Sequence, residues 1–313
     1  MTRCAFAAFA GLTLTAAGTP PPPRPHRSHA PFCPGLSGPV VTLTGRQTPY
    51  HEETLAAATR IDARGATWLA QGQTPVKVGG NGACWSGGRI EGTFSNTTSY
   101  ADMHDTYGLL VYGPNMVIEN VRIHNYGDGV SFDVPEDSNW TIRSSHFSYL
   151  RDDCIENDFL NSGLVEDSFY DGCYDGYSAR TYGHRQHQDG SANLVTIRNT
   201  LMRLQPMPTV YIGPAPGHAR FFKLDRAGIS PRMALHNNIF RVDQLPSHGR
   251  PKDGMFFIPP SWKLESCSNN IIVWLVPGEF PETLPSCYTL TRDKSVWDKA
   301  AARWLAAHPQ VPS

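Results

Sequence analysis

Asp128, Asp152 and Asp175 head three short strings, Asp128-Gly129-Val130-Ser131, Asp152-Asp153-Cys154-Ile155 and Asp175-Gly176-Tyr177-Ser178. Each lies eight residues after a small or polar anchor, namely Asn120, Ser144 and Asp167. A carboxyl group can donate or accept the proton in glycosidic-bond cleavage, and it can ligate a hard cation. Brought to equal height on neighbouring elements, the three aspartates would form a column. Stacked like charges repel and raise one another's pKa, which gives a fold no stability, so such a column points to chemistry or to a cation.

The anchors sit in matching hexads: Ile-Glu-Asn-Val-Arg-Ile (118–123), Ile-Arg-Ser-Ser-His-Phe (142–147) and Val-Glu-Asp-Ser-Phe-Tyr (165–170). From 120 to 144 to 167 the spacing is 24 and then 23 residues. A period of that size, with two short strand-like runs per unit, describes a solenoid whose coils stack about 4.8 Å apart. Four further strings fit the template, with anchors at Gly92, Asn199, Asn237 and Asn269. Asparagine suits the corner because it tolerates left-handed backbone, and stacked asparagines can form side-chain ladders. A β-sandwich would explain evenly spaced strands but not the phase of the aspartates. The fold class expected is therefore all-β, a right-handed parallel β-helix over residues 32–292.

The ends read differently. Met1-Thr2-Arg3 followed by an apolar or small stretch to Gly18 has the pattern of a signal peptide, too short to span a bilayer. Residues 19–31, with prolines at 20–23, form a stiff linker. The expectation is a secreted or periplasmic chain, active as a monomer and without a membrane partner. A net charge of −1 removes any general electrostatic case for nucleic acid. Without Cys4, six cysteines remain, an even count that favours disulfides in an exported protein. Fifteen pairings are open; proximity suggests Cys33 with Cys84, Cys154 with Cys173 and Cys267 with Cys287. Residues 293–309 predict a helix capped by Asp293, with Trp297, Ala301, Trp304 and Leu305 on the face that covers the stack.

The stacked coils resemble the pectin lyase-like superfamily. Within it, Gly127-Asp128-Gly129 and Asp152-Asp153-Cys154 resemble the Asn-Thr-Asp-Gly and Asp-Asp-Cys strings of polygalacturonases. The resemblance covers about residues 117–200. It implies hydrolysis of a uronic-acid polysaccharide with inversion, Asp152 or Asp153 as general acid and Asp128 helping to activate water. The family's Gly-His-Gly falls at Tyr174-Asp175-Gly176, which lacks the histidine. Its Arg-Ile-Lys string would fall at Thr196-Ile197-Arg198, which keeps one cation. Chemistry read from the residues agrees: two carboxyls some 6.5–9.5 Å apart would leave room for a water, with one pKa raised. Arg180 completes the catalytic candidates Asp128, Asp152, Asp153 and Asp175. Glu156, His184, Arg185, His187 and Arg198 are candidates for substrate binding.

No cofactor is expected on this reading. On a second, the same aspartates with Glu156 hold Ca²⁺ against a substrate carboxylate, and Arg180 or a nearby base removes the adjacent proton, as in pectate lyases or C5 epimerases. A third reading is a non-catalytic carbohydrate-binding or surface β-helix. Asn96-Thr97-Thr98 and Asn139-Trp140-Thr141 are glycosylation sequons, relevant only in a eukaryotic secretory route.

Overall fold

The computed structural model describes residues 32–70, 72–132, 134–181, 188–208, 216–309 and 311. The signal-like segment and the proline-rich linker lie outside the described residues. Among those described, 23 strands join in one continuous sheet that winds about an axis, and nearly every pairing is parallel. The chain is a parallel β-helix. Among the described residues, the single antiparallel pairing between strands joins Phe222–Leu224 to Met255–Phe256.

Each complete coil contributes to three faces, and the repeating hexads build two of them. Ile118, Ile142, Val165, Ile197, Leu235 and Cys267, the first residues of six hexads, lie in register one above another. On the next face Trp68, Ile90, Ile123, Phe147, Tyr170, Met202, Phe240 and Ile272 form a second continuous ladder. All are buried apart from the half-buried Cys267, and Phe147 stacks on Tyr170 with ring centroids 4.8 Å apart. Identical phases thus bring apolar side chains into contact inside the coil, which is how a 23- or 24-residue unit that cannot bury its own core gains one from its neighbours.

Between these faces the corner is one residue in the left-handed region. Asn120, Ser144, Asp167, Asn199, Asn237 and Asn269 all have φ between 48° and 57°. After four of these corners the next residue points inward and satisfies the backbone of the coil below; thus Ser145 Oγ accepts from Val121 N, and Asn270 Oδ1 accepts from Asn238 N at 3.1 Å. At the surface Asn269 donates to Asn237 and Asn237 to Asn199, each at 3.2 Å. One anchor is corrected. Trp85 lies in register with Ile118, so the corner of that coil is Gly87, with φ of 84°, and not Gly92. A Cβ on Gly87 would come within 2.5 Å of Arg64 Cα, so this corner excludes any side chain.

All three disulfides form as proximity suggested: Cys33–Cys84, Cys154–Cys173 and Cys267–Cys287. They fit an oxidising compartment. No helix among the described residues is long and apolar enough to cross a membrane. The helix Lys294–Ala307 is capped by Asp293, whose carboxylate accepts from Ser295 N. It lies along the side of the stack, with Trp297, Ala300 and Trp304 packed against Phe169, Leu201 and Val273. Ala301 is partly buried, but Leu305 points away and is 45% exposed, because Ala300 and Trp304 take the inward positions of the last turns.

Candidate active site

The third face carries the aspartates. Its central strands are Asp128–Phe132, the C-terminal half of His146–Glu156, the C-terminal half of Phe169–Ala179, and Phe222–Leu224. Asp153 is in register with Asp175, and the pairing of Val130 with Ile155 carries the same line back to Asp128. The column is therefore Asp128, Asp153, Asp175. Asp152 leaves it because His146–Glu156 holds one extra residue between Leu150 and Asp153, a β-bulge that steps the register against its neighbour. Continued by one coil, the register that joins Tyr177 to Phe222 sets Arg220 beside Asp175 and Lys223 beside Ser178.

The bulge also changes the hydrogen bonding. The backbone N–H groups of Arg151 and Asp152 pair with the carbonyls of Tyr126 and Gly127, but that of Asp153 is accepted by the Asp128 side chain at 2.8 Å. One coil on, Asp175 accepts from the backbone N–H of Arg220 at 3.1 Å. The aspartates thus double as ladder acceptors where the strand pairing is irregular.

Lys223, which the spacing of the repeats did not reveal, supplies the positive charge. Its ammonium lies 2.8 Å from Asp153 Oδ2 and 3.9 Å from Asp152 Oδ1. Carboxylate oxygens of Asp128, Asp152 and Asp153 all fall within 4.8 Å of one another. Asp128 Oδ2 and Asp153 Oδ1 are buried without a hydrogen-bond partner among the described atoms. Asp152 Oδ2 accepts from the Tyr100 hydroxyl at 2.7 Å, and Glu156 accepts from Ser131 Oγ at 2.8 Å.

These contacts set the protonation. Burial first, then the charges of Glu156, Asp152 and Asp153, hold the Asp128 carboxyl well above the usual carboxylate range. Asp175 is raised by burial and by Asp153, and Glu156 by burial, Asp158 and Asp153. Asp152 is pushed up only to about 6, since Lys223 and the Tyr100 hydroxyl offset part of the cost of its burial. Burial works against the Lys223 ammonium, but Asp153, Asp152 and Asp175 together keep it well above the usual lysine range. The result is carboxyls biased toward the protonated form beside an ion pair, the division of labour that acid–base catalysis needs.

The cluster is buried, and one expectation about it changes. The column does not face open solvent: Asp128 is 1% exposed, Asp153 0% and Asp175 1%, and Asp152 at 7% is the most accessible of the four. Glu156, half-buried, lies on the same rim. Asp128, Asp152 and Asp153 do not stand 6.5–9.5 Å apart: although Asp152 steps out of the column, its carboxylate oxygen stays within 4.8 Å of the other two.

Other candidates are dispersed. Arg180 donates to the backbone carbonyl of Asp253. It lines a groove of about 710 Å³ with Asp225, Arg226, His248 and Asp253. That groove adjoins the cluster, since Met255 in its lining pairs with Lys223 in the antiparallel ladder. Arg198 is removed from the site: it stands on another face, in register with Glu166 and ion-paired to it at 2.9 Å. The cations expected near 196–198 stand at Arg220 and Lys223 instead, because the chain makes a long excursion before its next strand on this face. Arg220 gives the column its backbone, while its guanidinium pairs with Glu282 at 2.9 Å and stacks over Phe257. His184, Arg185 and His187 lie outside the described residues.

Fold and cluster together define the class: a parallel β-helix with a buried carboxylate column, one ammonium and an adjoining groove lined by two arginines and two aspartates. No protein-family model, no characterised protein and no solved structure matches the chain.

Proposed function

We propose that the protein cleaves glycosidic bonds of an acidic, uronic-acid-containing polysaccharide, in the manner of the polygalacturonases its Asp-Gly and Asp-Asp-Cys strings resemble. Asp152 is the proton donor. A carboxyl raised to about 6 is substantially protonated in mild acid, and it is the most accessible of the four aspartates. Asp153, paired with Lys223, is the carboxylate that meets the developing positive charge or directs water. Arg180 and Arg226 in the adjoining groove offer cations to substrate carboxylates. The observation that carries this reading is the meeting of Asp128, Asp152 and Asp153 within 4.8 Å, with Lys223 bonded to Asp153.

The same observation bears on the calcium-dependent reading. Ca²⁺ takes six to eight oxygens. Here an ammonium already stands against two of the candidate ligands and a tyrosine hydroxyl holds one Asp152 oxygen. The near-complete burial of the column favours a different second reading, a carbohydrate-binding β-helix in which the cluster is an internal network.

One experiment separates them. Purified protein is incubated with a panel of uronic-acid polymers, with and without chelator, while reducing ends and the absorbance of unsaturated products are followed. Chelator-resistant release of reducing ends without unsaturation, lost in Asp152→Asn, is the expected result. Unsaturated product that disappears with chelator would establish the lyase. Binding without turnover would establish the non-catalytic module.

A further inference from the structure

Residues 93–106 connect the strand Arg89–Gly92 to Tyr107–Tyr112, and they do not follow the wall of the coil. They cross to the bulge of His146–Glu156 and dock on it at three points. Tyr149 donates from its hydroxyl to Asn96 Oδ1 at 2.7 Å. Arg151 donates to the carbonyls of Phe94 and Ser95 at 3.1 and 2.9 Å, while the same guanidinium holds Asn125 Oδ1. Tyr100 donates to Asp152 Oδ2 at 2.7 Å.

The strap has its own internal order. Ser99 caps the short helix Tyr100–Met103, Met103 is buried, and the rings of Tyr100 and His104 stack 5.2 Å apart. Tyr149, Arg151 and Asp152 all belong to the irregular stretch, so the bulge that pushes Asp152 out of the column also presents it to the strap. The groups that face Asp152 are Asp128 and Asp153 in the cluster, Lys223 from two coils on, and Tyr100 and His104 from the strap.

We infer that Tyr100 is a positioning residue for Asp152: its hydroxyl, anchored by the docked strap, fixes the carboxyl beside the Asp128–Asp153–Lys223 cluster and sets how tightly Asp152 holds its proton. The catalytic consequence rests on the reading of Asp152 as proton donor; the contact itself does not. Loss of the hydroxyl leaves burial and the Asp153 charge acting on Asp152 without their counterweight, so its proton affinity rises.

The test is Tyr100→Phe in the full chain, with the aspartate carboxyls followed by ¹³C NMR through a pH titration and the Asp152 signal assigned by its loss in Asp152→Asn. The midpoint of Asp152 is expected to rise by roughly half a unit to one unit. The melting temperature should change little, because the ring and the Arg151 contacts remain. Arg151→Met, which frees the strap while keeping Tyr100, should move the midpoint in the same direction and lower the melting temperature. In active enzyme the alkaline limb of the pH–kcat profile should shift upward with KM unchanged. A midpoint that stays in place in Tyr100→Phe overturns the inference. A shifted midpoint in a protein that turns over no polysaccharide upholds it and overturns the hydrolase instead.

Discussion

Lys223 Nζ and Asp153 Oδ2 stand 2.8 Å apart across 70 residues of chain, and one coil of the helix intervenes between their strands. Both are nearly cut off from water, with side-chain exposures of 16% and 1%. Such a pair gains little over a well-packed apolar one, but breaking it strands a charge.

Asp153→Asn is therefore expected to lower stability by about 3 kcal/mol, because it leaves the Lys223 ammonium without its nearest partner. On charge repulsion within the column alone, the same change would be neutral or stabilising. The ion pair reverses the sign. Chemical denaturation checks it, and adding Lys223→Met should recover much of the loss. Equal stability of wild type and Asp153→Asn would show that the pair is not formed in solution.

Asp128→Asn should behave differently. Burial holds this carboxyl well above the usual carboxylate range and favours its neutral form, which an amide of nearly the same shape mimics, and the Oδ1 bond to Asp153 N survives. Stability near neutral pH should be unchanged or higher, as read by thermal unfolding beside Asp153→Asn. A loss as large as that of Asp153→Asn would mean that Asp128 is ionised in the fold.

The raised carboxyls also give stability a direction in pH. Asp128, Asp152, Glu156 and Asp175 bind protons more tightly folded than unfolded. Their contribution is complete below the ordinary carboxylate range and is lost as pH rises through the folded values. For Asp152 that window runs from 3.8 to about 6. Asp62, which the Arg64 side chain pulls down, works in the opposite direction but near the surface. Burial lowers the pKa of His124, His146, His218 and His248, which act oppositely over the same range, so the Asp152 contribution is read as a difference: between about pH 4 and pH 7 the melting temperature should fall less, or rise more, with pH in Asp152→Asn than in wild type. Calorimetry across that range measures both slopes, and identical slopes would contradict the raised value. Lys223 acts at the other extreme: its contribution is present below 10.5 and lost as pH climbs through its raised folded value.

Trp304 holds the terminal helix to the stack. Its indole N–H donates to the Asp167 carbonyl at 3.0 Å and its ring lies 5.5 Å from that of Phe169. Trp304→Ala should cost about 3 kcal/mol in equilibrium unfolding. Leu305→Ala, one residue on but exposed, should cost under about 0.5 kcal/mol. Similar losses from both would mean that the helix docks on a different face.

The repeat of Ile-Glu-Asn, Ile-Arg-Ser and Val-Glu-Asp was enough to specify a solenoid, its corners at Asn120, Ser144 and Asp167, and the face on which Asp128, Asp153 and Asp175 meet. Those features are local: a left-handed corner every 23 or 24 residues and an inward apolar phase are written into each coil separately. The pairings Cys154–Cys173 and Cys267–Cys287 followed from similarly short spacings of 19 and 20 residues. What only the tertiary structure decided lies where one coil departs from its neighbours. A single extra residue between Leu150 and Asp153 exchanged the places of Asp152 and Asp153, a change that counting from the anchor cannot register. The excursion between Leu204 and Phe222 hid the strand that carries Lys223, so its charge went unseen and Arg198 stood in for it. Tyr100 reaches Asp152 from 52 residues away through a strap that belongs to no repeat. Periodic sequence encodes what neighbouring coils share, and the cluster at Asp153 is assembled from the residues by which they differ.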